Sequence, residues 1–284
     1  MSKFLQADLH MHTVNSDGKY TLDDIKKMVL STGGNKVVSI TDHHYMTINK
    51  AFEEDTILWI PGIEISADAN WQSVHITGYW LEPHFSPKLK EILQTIVDGY
   101  MDRANRVRER WLSLWYKVPS LDEFRDSSLP LPIYKSDLAR QLGKIAWLED
   151  TKEIRMWAKE NGNLLFSEEE SFMPDISELI PAMHESWLIA CWAHPGKSLF
   201  RNPEEMEKSL ETLDVIIEAG IDWIEPFAHK HTEEQKKIFI NEAKKRNLLI
   251  TWWSDYHWDK DHSISYPLSP EYIKPFLDKI WYVE

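Results

Sequence analysis

The chain has 284 residues, with 32 lysines and arginines against 46 aspartates and glutamates, a formal net charge of −14 and 43% apolar residues. It is therefore long and apolar enough to bury a sizeable core, as one large domain or two smaller ones. That acid balance excludes broad binding of long nucleic acid, which needs a basic footprint, and the single Cys191 excludes an internal disulfide or a thiolate metal cluster.

No apolar run reaches the roughly 18 residues that span a bilayer. Asp8 stands where a leader peptide would be apolar, so a cytoplasmic protein without membrane contact is expected. Small phosphorylated ligands fit an acidic chain if a bound cation inverts the local sign of charge.

In chain order, Phe4–His10 reads as a strand, with Asp8, His10 and His12 at alternate positions that point one way on an extended chain. Leu22, Ile25, Met28 and Val29 give helical spacing over Thr21–Thr32, ended by Gly33-Gly34. Strands follow at Lys36–Ile40, Ile57–Ile65 and Ser73–Trp80. The pattern then turns helical at Ser86–Tyr116, Lys135–Leu148 and Thr151–Lys159, broken by prolines 119, 130 and 132. The arginines at 103, 106, 108 and 110 read mostly as a solvated helix face. Alternation resumes with strands at Leu188–Ala193, Trp223–Phe227 and Leu248–Trp253 and helices at Pro203–Gly220 and Thr232–Arg246. Repeated strand–helix units imply a parallel α/β sheet or barrel, whose chemistry collects where strands end.

Those strand ends carry imidazoles and carboxylates. His10, His12 and Asp17 follow the first strand, and Asp42 and His43 the second. Glu64 and His75 lie in the next two, His194 ends the strand after the helical block, and Asp255 and His257 follow the last. Buried groups of this kind cost several kcal/mol each unless paired or metal-bound. A cation cluster is the simplest way to hold so many at one mouth. Nitrogen and oxygen donors without sulfur suit manganese, iron or zinc.

Taken together, His-x-His (10–12), Thr-x-x-Ser-Asp-Gly (13–18), Thr-Asp-His (41–43), Gly-Ile-Glu (62–64), Val-His (74–75), Ala-His-Pro-Gly (193–196) and Ser-Asp-x-His (254–257) resemble the PHP (polymerase and histidinol phosphatase) family of metal-dependent phosphoesterases. The resemblance spans roughly 1–85 and 185–260, and is closest to stand-alone members acting on nucleotides or short oligonucleotides. It implies a distorted seven-stranded (β/α) barrel of residues 1–85 and 181–284 with an α-helical insertion, 86–180. It also implies two or three divalent metal ions. His10, His12, Glu64 and Asp255 would hold the first. Glu64 would bridge to a second on His75 and His194. Asp17, His43 and His257 would hold the third. Asp8 and Asp42 would orient imidazoles.

The chain departs from the family in places. His44 replaces a common Asp and could ligate, contact substrate or face solvent. Trp253 and Trp258 stand where relatives often carry Gly, and could pack or stack on a base. Lys135 and Asp137 replace an Arg and a His; the lysine could still neutralise a phosphate as a point charge. Arg103 falls near a family arginine. His231 matches a histidine near the substrate phosphate, as donor or general acid. His229 and Lys230 read as surface residues, and His84, His184 and His262 have no constellation. Cys191–Ser198 is a spoiled P-loop, with Trp192 and Pro195 in place of small residues.

The expected reaction is hydrolysis of a phosphomonoester, such as a nucleoside 3′,5′-bisphosphate, or of a short oligonucleotide, by metal-activated water. His231, Asp255 and His257 are the catalytic candidates, and Lys135, Arg103, His231 and His44 the substrate contacts. Alternatives are another small phosphorylated metabolite (a sugar phosphate or histidinol phosphate), a C–N bond, or a non-catalytic phosphate-sensing module.

Overall fold

The computed structural model describes residues 3–130, 132–165, 172–198, 203–227, 231–252, 254–257, 266–267 and 270–280. The chain forms two compact units, Met1–Ile92 with Pro174–Glu284, and Leu93–Met173.

The first unit begins with strand β1 (Gln6–Asp8), helix α1 (Leu22–Ser31), and strands β2 (Lys36–Ile40), β3 (Phe52–Glu54), β4 (Ile57–Ala69) and β5 (Gln72–Tyr79). Helix α2 (Pro87–Ser113) carries the chain into the second unit, which holds α3 (Lys135–Ala146) and α4 (Thr151–Glu160). The first unit resumes with α5 (Ile176–Glu185), β6 (Ile189–Ala193), α6 (Pro195–Ser198), α7 (Pro203–Glu218), β7 (Trp223–Phe227), α8 (Glu233–Arg246), β8 (Leu249–Trp252), β9 (Tyr266–Pro267) and α9 (Pro270–Lys279). No helix among the described residues is long and apolar enough to cross a membrane.

Local chemistry sets several boundaries. Thr21 caps α1 in a reciprocal box with Asp24, and Thr232 caps α8 in the same way with Gln235. β2 and β6 are buried along their whole length, as strands covered on both faces must be.

All nine strands join one sheet, in the order β8-β7-β6-β5-β4-β2-β1-β9, with β3 on β4. β1, β2 and β4 pair in parallel, as do β6, β7 and β8; β5 is antiparallel to both β4 and β6. Six strands therefore point one way, and their C-terminal ends share one edge. β5 reverses because a two-residue turn, Asn70-Trp71, joins it to β4, and a link that short permits only a hairpin.

The architecture is mixed α/β, and it corrects the expected strand set. β3 and β9 are additional strands, and β8 and β9 are not paired to each other among the described residues. The sheet curls as a half-barrel. The segments leaving its β1 and β8 ends meet, with Asp255 N–H donating to the His10 carbonyl and His12 N–H to that of Tyr256 (3.1 and 3.0 Å).

The core lies on both faces of this sheet. Phe4, Tyr79, Trp223 and Phe276 pack in one cluster, and Met11, Ile25, Val38 and Trp59 in another. In the second unit Trp111, Phe124, Leu138 and Ile154 build a separate core. α5, which falls partly inside the predicted insertion, belongs to the first unit.

Candidate metal centre

The shared C-terminal edge gathers the strand-end residues. His10 and His12 leave β1 and are fully buried, with their Nε2 atoms 3.1 Å apart. His43 leaves β2 and bridges to Glu64 of β4. Gly62, two residues before Glu64, packs where a Cβ would lie 2.3 Å from Ser39 Oγ, so only glycine lets β4 approach β2 this closely. His75, near the start of the reversed β5, reaches the same edge, in register with Ala193 beside His194.

Glu64 is the hub. Its Oε2 lies 3.2 Å from His10 Nε2, 3.2 Å from His12 Nε2 and 3.1 Å from His43 Nδ1. Its Oε1 lies 2.9 Å from His75 Nδ1 and 3.0 Å from His194 Nε2. Burial alone would raise this carboxyl, but His10, His43 and His75 outweigh it and hold it well below the usual range.

A second focus is Asp17, 3.2 Å from His257 Nε2, 3.7 Å from His12 Nδ1 and 3.9 Å from His43 Nε2. Asp255 lies 3.2 Å from His257 Nδ1 and 3.7 Å from His12 Nε2. Burial opposes charge on His257, yet Asp17 and Asp255 hold it up at about 9. Burial dominates at His43, which falls to about 4.

Four donor sets converge closely enough to hold an ion: His12, Asp17, His43 and His257; His10, His12 and Asp255; His10, Glu64 and His194; and His43, Glu64 and His75. The structure thus brings together all nine residues expected to ligate metal. It differs from the implied partition in placing His10, His12 and His43 in two sets each and in splitting His75 and His194 between two sets that share Glu64.

Asp8 and Asp42 depart from their expected part: their hydrogen bonds among the described residues go to backbone N–H groups and hydroxyls. Asp8 accepts the N–H groups of Ser254 (2.9 Å) and His10 (3.4 Å), tying the β8 exit to the β1 exit, and burial pushes it up to about 7. Asp42 accepts Thr13 N–H (2.7 Å) and the hydroxyls of Thr13, Ser16 (both 2.6 Å) and Thr47. It holds the loop that carries Asp17, and reaches His12 only through Ser16, whose Oγ lies 3.3 Å from Nδ1.

His44 is buried, so it does not face solvent. It sits at φ 56° with its N–H on the Glu64 carbonyl at 2.8 Å, and burial drives its pKa well down.

His231, expected as a phosphate donor or general acid, has both ring nitrogens on backbone groups. Nδ1 donates to the Pro226 carbonyl at 2.8 Å and Nε2 accepts Gly196 N–H at 2.9 Å, an arrangement that puts the ring proton on Nδ1. It staples the loops after β6 and β7, and a Cβ on Gly196 would lie 2.6 Å from it.

Arg103, Lys135 and Asp137 lie in the second unit. Arg103 is buried, its guanidinium 4.3 Å from the centre of the Tyr100 ring. Lys135 opens α3. Asp137 caps Tyr134 N–H (2.9 Å) and pairs with Arg125 and Arg140, both at 3.0 Å, so its charge is compensated locally. Trp253, Trp258, His229, Lys230 and His262 lie outside the described residues.

One functional candidate escapes the sequence reading: Glu225, fully buried in β7, with Oε2 3.5 Å from His10 Nδ1 and 3.1 Å from His194 N. Its only signal was a lone carboxylate inside the apolar run Trp-Ile-Glu-Pro-Phe.

No protein-family model and no curated protein matches this chain. Among solved structures it is similar to a protein from Bifidobacterium adolescentis provisionally described as a metal-dependent phosphoesterase, with 21% identity, 96% of each chain covered and a TM-score of 0.73. It is equally similar to an amidohydrolase from Chromobacterium violaceum solved with bound sulfate and no metal, at 20% identity, 96% of each chain and a TM-score of 0.73. What these likenesses establish is a shared fold.

Proposed function

We propose that this chain is a metal-dependent hydrolase of phosphate esters, with phosphomonoesters of nucleotides (nucleoside 3′,5′-bisphosphates among them) or short oligonucleotides as substrates. The observation that carries the reading is Glu64, one buried carboxylate faced by five imidazoles at 2.9 to 3.2 Å. Two of those imidazoles face each other nitrogen to nitrogen at 3.1 Å. Lone pairs converging like this repel one another unless cations or protons lie between them, so the donor set fits two or three divalent ions. Manganese, iron or zinc suits such nitrogen and oxygen ligands.

When bound, such ions lower the pKa of water towards about 7 and stabilise charge on phosphoryl oxygens. The chain's own residues divide the remaining work. His10, His12, Glu64 and His194 form a dry floor that fixes donor geometry. Asp17, His43, His75 and His257 are 14 to 28% exposed and form a rim open to an arriving phosphate. Lys135 and Arg103 remain proposed phosphate contacts.

The test is direct. Purified protein is assayed for bound metals and for phosphate release from nucleoside mono- and bisphosphates, sugar phosphates, histidinol phosphate and short RNA. Release that stops on exhaustive chelation and returns with Mn²⁺ supports the reading; undiminished release from metal-free protein overturns it.

The amidohydrolase likeness favours a second reading, metal-assisted cleavage of a C–N bond. Competitive inhibition by inorganic phosphate separates the two, and sulfate in that neighbour, a tetrahedral oxyanion, favours phosphate. Tight nucleotide binding with no turnover under any metal would point instead to a sensing module.

A further inference from the structure

We propose that Glu225 is a positioning residue that fixes His10 and His194 for metal binding, an inference that rests on the metal-centre reading above. Three strands meet at this carboxylate. From β7, its Oε2 lies 3.5 Å from Nδ1 of His10, which follows β1, and 3.1 Å from the backbone N–H of His194, which follows β6. The opposite nitrogen of His10, Nε2, points at Glu64 and His12 (3.2 and 3.1 Å). The carboxylate behind the ring, at a distance longer than an ordinary hydrogen bond, favours by its charge the tautomer with the proton on Nδ1 and leaves the Nε2 lone pair for an ion, the arrangement that ligating histidines need. Glu225 is wholly buried and its Oε1 has no hydrogen-bond partner among the described residues. Such a group is expensive to bury in an otherwise apolar strand, and a valine or isoleucine would pack there without that penalty. Retention of the acid is explained by the two ligands it touches.

The experiment compares wild type, E225Q and E225A by metal titration with mass-spectrometric metal analysis, and by nitrogen NMR of the His10 ring in metal-free protein. E225Q keeps an acceptor oxygen and the shape. It is expected to retain the Nδ1–H tautomer and near-native affinity, whereas E225A loses the tautomer and about 10–100-fold in affinity. Unchanged affinity and tautomer in folded E225A would overturn the proposal while leaving the metal centre standing. If wild type bound no metal, the functional reading would fall, and the tautomer measurement would still decide for or against Glu225.

An independent observation concerns tryptophan. Trp71, Trp115, Trp147 and Trp187 all have positive φ (61°, 66°, 59° and 65°) and are 89, 94, 93 and 59% exposed. Non-glycine residues adopt such φ in only a few per cent of cases, and bulky ones are outliers. Trp71 follows Asn70 in a two-residue hairpin turn with both φ positive, the place for Asn-Gly. The other three end helices in one hydrogen-bond frame, in which the next N–H reaches back five residues: Tyr116 to Trp111, Leu148 to Gly143 and Leu188 to Met183. The chain uses the same frame at Ile221 to Ile216 and Leu248 to Ala243, where the left-handed residue is Gly220 or Asn247, the usual occupants. Trp59, Trp111, Trp192 and Trp223, by contrast, are core residues.

We infer that positions 71, 115, 147 and 187 are glycine in the working polypeptide, encoded by a codon distinct from that of the core tryptophans and decoded as glycine where the chain is made. Peptide mass spectrometry of the protein from its native cells should find glycine at these four positions and tryptophan at 59, 111, 192 and 223. Tryptophan masses at the four turn positions would overturn the inference.

Discussion

Replacing Glu64 with glutamine, E64Q, preserves the size of the side chain but removes its charge and one acceptor oxygen. Oε1 faces two imidazole nitrogens and Oε2 three, so whichever oxygen becomes the amide group, a donor oxygen shared with at least two ligating nitrogens is lost. Losing even a residue that only supports a ligating histidine lowers metal affinity about 10–100-fold. A carboxylate shared between two ligand sets belongs at or beyond the top of that range, and a factor of 100 is about 2.7 kcal/mol of lost stabilisation by bound metal. At roughly 2–4 °C per kcal/mol for a protein of this size, the rise in Tm that metal produces should shrink by about 5–10 °C. Calorimetry on wild type and E64Q, each stripped with chelator and refilled with Mn²⁺, reads this difference directly. Comparing the metal-induced rise, rather than Tm itself, cancels any effect of E64Q on the metal-free fold. An E64Q protein with wild-type metal content and the full metal-induced rise would refute the assignment of Glu64 as the hub.

Asp42 accepts four hydrogen bonds from Thr13, Ser16 and Thr47, so D42A should destabilise the fold by about 3 kcal/mol or more in urea unfolding, since each buried donor left unpaired costs about 1–3 kcal/mol; a change under about 1 kcal/mol would contradict this. Asp222 accepts Ala190 N–H at 3.0 Å and faces His184 at 2.8 Å, and although burial works against its charge these partners hold its pKa below 3.8. A depressed carboxyl contributes stability above its unfolded pKa and loses it as pH falls through the folded one. The penalty of D222N should therefore be full near neutral pH and fade in acid below about pH 4, whereas a pH-independent penalty would exclude the charge as its source. Trp147 is 93% exposed at φ 59°, so W147G gives up little packing and relieves a left-handed conformation that costs a side chain about 1–2 kcal/mol; a lower Tm for W147G would count against that reasoning.

Elements with strong local signals were legible to the residue. Lys36–Ile40 and Trp223–Phe227 are strands with the predicted bounds, being short apolar runs between polar ends. Thr21 and Thr232 announce their helices through capping boxes. Elements defined by partners rather than by pattern were not legible. β9 is two residues long and exists through its pairing with β1, and β3 through its pairing with β4. The reversal of β5 was hidden for a chemical reason: its turn reads Asn-Trp, where the recognisable hairpin signal is Asn-Gly.

The candidate centre shows the same division between what a residue announces and what only proximity reveals. A histidine or carboxylate after an apolar strand can be read from order alone, and the parallel strands carry every such residue to one edge. Which atoms share an ion cannot be read that way. His12 sits between Glu64 and Asp17, 3.2 and 3.7 Å from their oxygens through opposite ring nitrogens. It belongs to two donor sets because three loops converge on it, and no spacing in the chain records that. Glu225 fails from the other direction. Inside an apolar strand an isolated acid reads as a position turned to solvent, yet β7 lies between β6 and β8 and both of its faces are covered. The acid is tolerated there because His10 and His194 supply the polar contacts that water would otherwise give. A charged residue in a central strand is thus better read as a demand for a partner than as a sign of exposure, and here the partners are two of the residues that hold the centre together.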